Sequence, residues 1–358
     1  MSSPQSDAPD VTTWPSVAVI IPVLNEERHL ADVVARVLAQ DYPSRFQLAL
    51  ALGPSTDATD SIAHDLAVAD DRVILVPNPT GLIPKALNLA LAATDSEVVV
   101  RCDGHAELPD GYLRAGVAAL LRLEASAVGG VMAAVGQTDF EVAVATAMTS
   151  TIGVGAAAFH VGGEEQEALT AYLGIYLRSA LESVGGYDET YLRAEDWEMN
   201  HRIREAGGRI WFIPDLRVTY RPRSSLQRLA AQYFYYGRWR RQVMRDHPET
   251  VSLRYLAPPT ALVGIAGGTA IGVAGVLGTA LSGGDSTLAK LGIVGFAAPL
   301  GYAAIVGYAS VKNGKGLPSA TRKVLPAVYA TMHMAWGYGF ITSPRDLRAQ
   351  AASGTIRG

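Results

Sequence analysis

The chain has 358 residues, 49% of them hydrophobic and 18% charged, and its 30 Lys and Arg against 34 Asp and Glu leave a formal net charge of −4. This composition excludes a disordered or collagen-like chain, and the negative balance speaks against a nucleic-acid partner. Soluble domains average about 25% charge, and the shortfall is local: residues 256–342 hold only Asp285, Lys290, Lys312, Lys315, Arg322 and Lys323 as charged side chains. A single cysteine, Cys102, excludes an intrachain disulfide. The opening MSSPQSDAPDVTTWP has no basic stretch ahead of an apolar run, so nothing marks secretion and a cytoplasmic catalytic part is expected.

Residues 1–15, rich in Ser, Pro and Asp, predict a loose tail. Val17–Val23 (VAVIIPV) is a short β-branched run, followed by the polar residues Asn25, Glu26 and Glu27 and an amphipathic stretch to Gln40. The pattern of strand, polar loop and helix then repeats. Residues 47–52, 73–76 and 98–101 read as strands, and residues 61–69 and 82–92 as helices. Alternating buried strands and helices predict an α/β fold with a Rossmann-like, doubly wound parallel sheet covered by helices on both faces. Ligands of such sheets sit beyond the carboxyl ends of the strands, where these polar loops fall. Residues 129–163, rich in Gly and Ala, predict a sheet edge with loops over the site.

The segment SLQRLAAQYFYYGRWRRQVMR combines aromatics with arginines, and Arg217, Arg221, Arg223 and Arg254 flank it. It predicts an interfacial helix with Trp and Tyr at headgroup depth and arginines toward anionic lipid or pyrophosphate, against the alternative of a solvated helix with a core stripe. Residues 256–281 and 291–311 are uncharged and exceed the roughly 20 residues needed to cross a bilayer core. The following loop, KNGKGLPSATRK, carries four cations and no acid, which places it and residues 1–255 in the cytoplasm. Residues 324–342 are a third uncharged candidate, but with Pro326 and His333 a full span and a re-entrant or interfacial segment both stay open. The predicted organisation is a tail (1–15), a catalytic domain (16–220), basic aromatic interfacial helices (221–255), a membrane domain (256–342) and a tail (343–358), in a multi-pass protein of the inner (plasma) membrane.

Three acidic clusters lie on loops at one end of the predicted sheet. Asn25, Glu26 and Glu27 follow the first strand, where a carboxylate suits ribose or base contacts or simply complements a helix dipole. Asp103 follows the fourth strand, and His105 two residues on shares one face of the turn. Oxygen plus imidazole ligands suit Mn²⁺, while Mg²⁺ prefers oxygen alone. Glu195 and Asp196 open a predicted helix whose positive end favours an ionised carboxylate, able to take a proton from an acceptor hydroxyl.

Taken together and in order, PVLNEE (22–27), PSTDAT (54–59), GLIPKALNLAL (81–91), RCDGHAELP (101–109), GGYDE (185–189), AEDWEMNHRIREAGGRIWFIP (194–214) and QYFYYGRWR (232–240) resemble the inverting glycosyltransferases of family 2 with the GT-A fold, and among them a membrane-attached subgroup of succinoglycan glucosyltransferase type. The resemblance covers about residues 17–255. It implies that Pro22, Asn25 and Glu26, with Asp57 nearby, form the nucleotide pocket. It implies that Asp103 and His105 hold a divalent metal (Mn²⁺ or Mg²⁺) against the diphosphate, that Asp196, beside Glu195, is the catalytic base, and that Gly185, Gly186, Tyr187 and Asp188 shape the acceptor side. Gln232, Arg238 and Trp239 resemble, with altered spacing, the QxxRW element of processive members, and Lys85 and Arg238 are candidates to stabilise the leaving diphosphate.

The implied partners are a nucleotide-sugar donor (UDP-sugar favoured, GDP-sugar possible), a lipid-linked or glycan acceptor, and membrane lipid. Two positions depart from the family pattern: Leu52 stands where a base-contacting Asp is usual, and the metal triad reads DGH. An imidazole ligand implies weaker metal binding at acid pH. Two competing readings are a polyprenyl-phosphate glycosyltransferase, whose ionised acceptor has less need of a base, and an inactive GT-A membrane scaffold.

Overall fold

The structure is a computed structural model that describes residues 13–284 and 286–355. The expected tail at 1–15 falls outside the described residues except for its last three. The chain divides into an α/β unit (residues 13–133, 157–220 and 348–355) and a helical unit (134–156 and 221–347).

In the α/β unit the elements run β1 (Val17–Val23), α1 (Leu30–Leu38), β2 (Phe46–Leu52), α2 (Thr59–Ala69), β3 (Val73–Pro77), α3 (Ile83–Ala92), β4 (Val98–Arg101), α4 (Tyr112–Arg122) and β5 (Ala127–Ala134). Two helices of the other unit, α5 (Asp139–Met148) and α6 (Thr151–Val154), come next. The α/β unit resumes with α7 (Ala158–Val161), β6 (Gln166–Glu167), β7 (Ile175–Leu177), α8 (Arg178–Ser183), α9 (Glu195–Glu205) and β8 (Ile210–Tyr220). The sheet order is β3-β2-β1-β4-β7-β5-β8-β6. The strands β3, β2, β1 and β4 pair in parallel, and β7 joins β4 and β5 antiparallel.

The β1 run reads as continuously apolar because both its faces are covered. Val17, Val19, Ile21 and Val23 pack with Leu30, Val33 and Val37 of α1 and with Leu113 and Val117 of α4. Ile20 points the other way, into a second core with Leu87 and Leu91 of α3 and Met199 and Ile203 of α9. The GT-A architecture expected from sequence is therefore present, with an antiparallel half that the strand-helix repeat did not announce.

The expectation for residues 129–163 is overturned. β5 is an interior strand, and its glycines serve close packing: a Cβ on Gly130 would lie 1.7 Å from the Leu216 carbonyl oxygen of β8, and one on Gly129 would lie 2.7 Å from Ala171 Cα. The stretch after it is helical, begun by a capping box between Thr138 and Glu141. The domain boundary differs as well, since residues 134–156 belong with the helices and residues 348–355 with the sheet.

The helical unit contains α5 and α6, then α10 (Leu226–Asp246), α11 (Leu253–Leu281), α12 (Thr287–Gly292), α13 (Ala297–Asn313) and α14 (Ser319–Ile341), with most of α15 (Leu347–Ala352) returning to the α/β unit. Two helical rods, Leu253–Leu281 and Thr287–Asn313, are long and apolar enough to cross a membrane, and only 11% and 6% of their most apolar stretches are buried. The third candidate, 324–342, is different. α14 begins earlier, carries Arg322 and Lys323, and buries Leu325, Val328, Tyr329, Met332 and Phe340. Glycines bring it to backbone distance of its neighbours: a Cβ on Gly237 of α10 would meet Trp336 O at 2.0 Å, and one on Gly339 would meet Phe234 O at 2.0 Å. The aromatic face of α10 is thus packed inside this unit. Trp239, expected at headgroup depth, is 2% exposed.

Candidate active site

The polar loops after β1 and β2 are stitched together at the carboxyl end of the sheet. The chain turns at Asn25 with φ 55°, a left-handed conformation that asparagine tolerates better than most residues. Asn25 Oδ1 accepts a bond from the Thr56 N–H at 2.8 Å, and the Asn25 N–H donates to Ser55 Oγ at 3.1 Å. The Glu26 N–H donates to Thr59 Oγ1 at 2.8 Å and the Glu27 N–H to Asp57 Oδ2 at 3.3 Å. Asp57 also accepts from the Thr59 hydroxyl at 2.5 Å and the Thr59 N–H at 3.0 Å, and these bonds, led by the hydroxyl, hold its carboxyl below the usual value. Asn25 and Asp57, expected at the nucleotide, therefore shape the loops that would surround it. Pro22 stands in β1 itself, opposite Ala51.

Glu26 reaches onward to the turn after β4. Its Oε1 lies 2.8 Å from His105 Nδ1, and Gly104 makes room, since a Cβ there would come within 2.9 Å of Glu26 Cγ. A carboxylate on Nδ1 sets the tautomer in which Nε2 is the basic nitrogen, as in metal-binding histidines. Asp103 supplies oxygen two residues earlier. One carboxylate and one imidazole are donors of the kind that would suit a divalent cation of Mn²⁺ type. Glu26, assigned to the nucleotide by its position in the motif, is engaged with His105.

The link between this turn and α9 is Arg101, the last residue of β4, which the sequence reading passed over. Its side chain is 7% exposed and touches three carboxylates: one terminal nitrogen lies 3.4 Å from Asp103 Oδ1 and 3.1 Å from Glu195 Oε1, and the other is in contact with Asp196 Oδ2. Burial opposes its charge, but the surrounding carboxylates, Asp196 foremost, raise its pKa well above the ordinary value. The detectable signal was a charge closing the otherwise apolar strand VVVR.

Asp196 lies in the first turn of α9, as its place in the sequence suggested. The expected effect of the helix dipole is outweighed, however: burial pushes its pKa up to about 6, with Arg101 pulling the other way and Glu195 reinforcing the rise. The carboxylate is mostly ionised at neutral pH and more basic than an exposed aspartate, which is the range suited to a general base. Its Oδ2 is taken by Arg101, while buried Oδ1 has no hydrogen-bond partner among the described residues.

The GGYDE loop is held from both sides. Asn88 of α3 donates to Tyr187 O at 2.8 Å and accepts from the Tyr187 N–H at 2.9 Å. Gly186 has φ +74°, and a Cβ there would approach Asn88 Oδ1 to 2.7 Å. Asp188 pairs with Arg348 at 2.6 Å. Lys85, a candidate for the leaving diphosphate, is paired instead with Glu189 at 3.1 Å. Gln232, Arg238 and Trp239 belong to the helical unit. There Gln232 Nε2 donates to Tyr236 Oη at 2.9 Å, and the Arg238 guanidinium lies 5.1 Å from the Phe234 ring centre.

The sheet thus brings acidic loops together at its carboxyl edge, with a carboxylate at a helix start close by. Residues 18–185 match the model of the Glycosyl transferase family 2. The chain is 31% identical over 345 residues to the succinoglycan biosynthesis protein ExoA of Rhizobium meliloti (strain 1021), covering 96% of this chain and 99% of that one. The chain belongs to glycosyltransferase family 2. It is also 22% identical over 230 residues to a Methanococcus voltae protein named dolichyl N-acetyl-alpha-D-glucosaminyl phosphate 3-beta-D-2,3-diacetamido-2,3-dideoxy-beta-D-glucuronosyltransferase, covering 62% of this chain and 71% of that one. Among solved structures, the mannosyltransferase PcManGT from Pyrobaculum calidifontis, in complex with GDP-Man and Mn²⁺, has a TM-score of 0.58 at 19% identity, over 95% of this chain and 91% of that one.

Proposed function

We propose that this glycosyltransferase is an inverting, metal-assisted hexosyltransferase that moves a sugar from a nucleotide-sugar donor to a lipid-linked glycan at the cytoplasmic face of the inner membrane, in polysaccharide or glycolipid biosynthesis. The observation that carries this reading is Asp196, with one carboxylate oxygen anchored on Arg101, the other buried without a donor, and a pKa raised by burial. The Asp196 carboxylate accepts the proton of the acceptor hydroxyl as it attacks the anomeric carbon and the nucleoside diphosphate leaves, and a single displacement inverts configuration. Asp103 and His105 would hold the divalent cation, which supplies charge opposite the departing diphosphate when bound. Glu26 keeps the His105 ring in the ligating tautomer, and Asn88 and Arg348 hold the GGYDE loop toward the acceptor.

The membrane reading is supported by the two outward-facing apolar rods and by what stands at the start of the first. The Arg240 and Arg254 guanidinium carbons lie 4.3 and 4.5 Å from the Tyr255 ring centre, just before the uncharged run begins. Arginine over tyrosine at the end of an apolar helix suits a phosphate-bearing lipid surface.

For the donor, a UDP-sugar is our first reading. The GDP-Man bound in the Pyrobaculum neighbour makes a GDP-sugar the second. The Methanococcus relative is named for transfer to the 3-position of an N-acetylglucosamine on dolichyl phosphate, a sugar hydroxyl on a lipid carrier, which supports the lipid-linked glycan as acceptor here; the alternative acceptor is a polyprenyl phosphate, which is already ionised and needs no base.

The test uses detergent-purified full chain with UDP-glucose, UDP-galactose, UDP-N-acetylglucosamine, dTDP-glucose and GDP-mannose, with and without Mn²⁺ or Mg²⁺ and with native lipid extract as acceptor. The expected result is metal-dependent release of nucleoside diphosphate from one donor. Silence across the panel would overturn the catalytic reading in favour of a scaffold.

A further inference from the structure

We propose that Arg101 is a positioning residue that ties the metal-side aspartate Asp103 and the base Asp196 to one guanidinium, so that the leaving and attacking ends of the reaction are set by a single side chain. The inference rests on the assignment of Asp196 as the base.

Asp196 is 95 residues from Arg101 in sequence, on a helix anchored further along by Met199 and Ile203 in the second core and by Arg202 on the Val184 and Gly186 carbonyls. α9 begins after Ala194, a non-glycine residue at φ 61°, with no side-chain cap bond. The first turn, without a local cap, is held from outside as well. Arg101 does this with both terminal nitrogens, one on Asp196 and the other on Glu195 and Asp103. Its own backbone is fixed by β4, which pairs with β1 on one side and β7 on the other, so the fork is mounted on the centre of the sheet.

Stability alone accounts poorly for this arrangement. A buried ion pair contributes little net stability compared with apolar side chains of the same volume. Arg101 Nε is also buried without an acceptor among the described residues, and Nη1 meets Asp196 Oδ2 as an ion contact without hydrogen-bond geometry, a cost that a purely structural arginine would avoid. What the planar fork offers that no other side chain does is two nitrogens at a set separation and angle. One contacts Asp196 at Oδ2, while Oδ1 is buried with no hydrogen-bond partner among the described residues. The other holds Asp103 by Oδ1 at a long 3.4 Å, which leaves that carboxylate able to turn toward a cation. Catalytic constellations need placement within about 0.5 Å, and a shared guanidinium provides that between two carboxylates on different elements.

The test is a double-mutant cycle on the full-length protein, using R101Q, D196N, the double variant and R101K. Single-turnover release of nucleoside diphosphate is followed at saturating Mn²⁺ with whichever nucleotide sugar the wild type turns over. If Arg101 acts through Asp196, R101Q lowers the rate by about 30-fold or more with donor affinity within about 3-fold of wild type, and the same change on the D196N background costs less than about 2-fold. R101K, with the charge but not the fork, recovers part of the loss.

A full multiplicative loss in the double variant, or wild-type rates in R101Q, overturns the proposal. If R101Q gives no cooperative melt, R101K decides: a lower turnover with unchanged donor affinity supports it, and wild-type turnover overturns it. A D196N protein as active as wild type, or a wild type silent on all five donors, would instead overturn the reading on which this inference rests.

Discussion

Asp196 is the residue whose ionisation should be visible in the enzyme's pH profile, and its effect is separable from that of His105 on the metal. For a base with a raised pKa, activity is full above that pKa and lost as pH falls through it, so kcat/KM at saturating Mn²⁺ should fall on the acid side with an apparent pKa near 6. An acid limb near 4 would contradict a desolvated base. His105 should act on metal affinity alone. Removing the carboxylate on its Nδ1, by Glu26→Gln, should raise the Mn²⁺ concentration for half-maximal activity about 10-fold or more, a usual penalty for losing the partner of a metal-bound imidazole. A Mn²⁺ titration of the variant reads this directly. At this scale the sequence was informative about residue type and less so about partners. Asp103, His105, Glu195 and Asp196 could be picked out by place, whereas Glu26 on His105 and Arg101 on Asp196 are pairings across 79 and 95 positions that no local pattern announces.

The parallel half of the sheet was legible because a strand covered on both faces is continuously apolar, and β1 to β4 all show that run. Its antiparallel half was not, because β5 is built around Gly129 and Gly130, which carry no hydrophobic periodicity and are there to let β7, β8 and the 171–172 backbone approach. Gly130→Ala should therefore be among the most damaging conservative changes. Its methyl would overlap the Leu216 carbonyl at 1.7 Å, and a loss of about 3 kcal/mol or more, or failure to fold, is expected in thermal or denaturant melts. The GGYDE loop makes a milder prediction. Asn88→Ala removes both bonds to Tyr187 and should raise the acceptor KM several-fold while leaving the donor KM within about 2-fold, since the loop is held but the metal turn is untouched.

Across the whole molecule, composition already separated a charged amino-terminal part from an apolar carboxyl-terminal one, and the two long apolar rods carry that asymmetry. Residues 324–342 show why sequence leaves two readings open. Absence of charge over 19 residues is shared by a membrane span and by a helix buried among others, and the glycines at 337 and 339, set against backbone on their neighbours, show α14 packed among helices of its unit. If the rods span a membrane, the full chain should float with liposomes and resist extraction at high pH, and introducing two lysines at exposed Ile271 and Leu277 should abolish this. The account as a whole turns on Asp196 as the proton acceptor. The most direct measurement compares wild type with Asp196→Asn, determining single-turnover sugar transfer and donor affinity on the same preparation. The account requires a fall in transfer of about 10² or more with donor binding nearly unchanged, and transfer at the wild-type rate would contradict it.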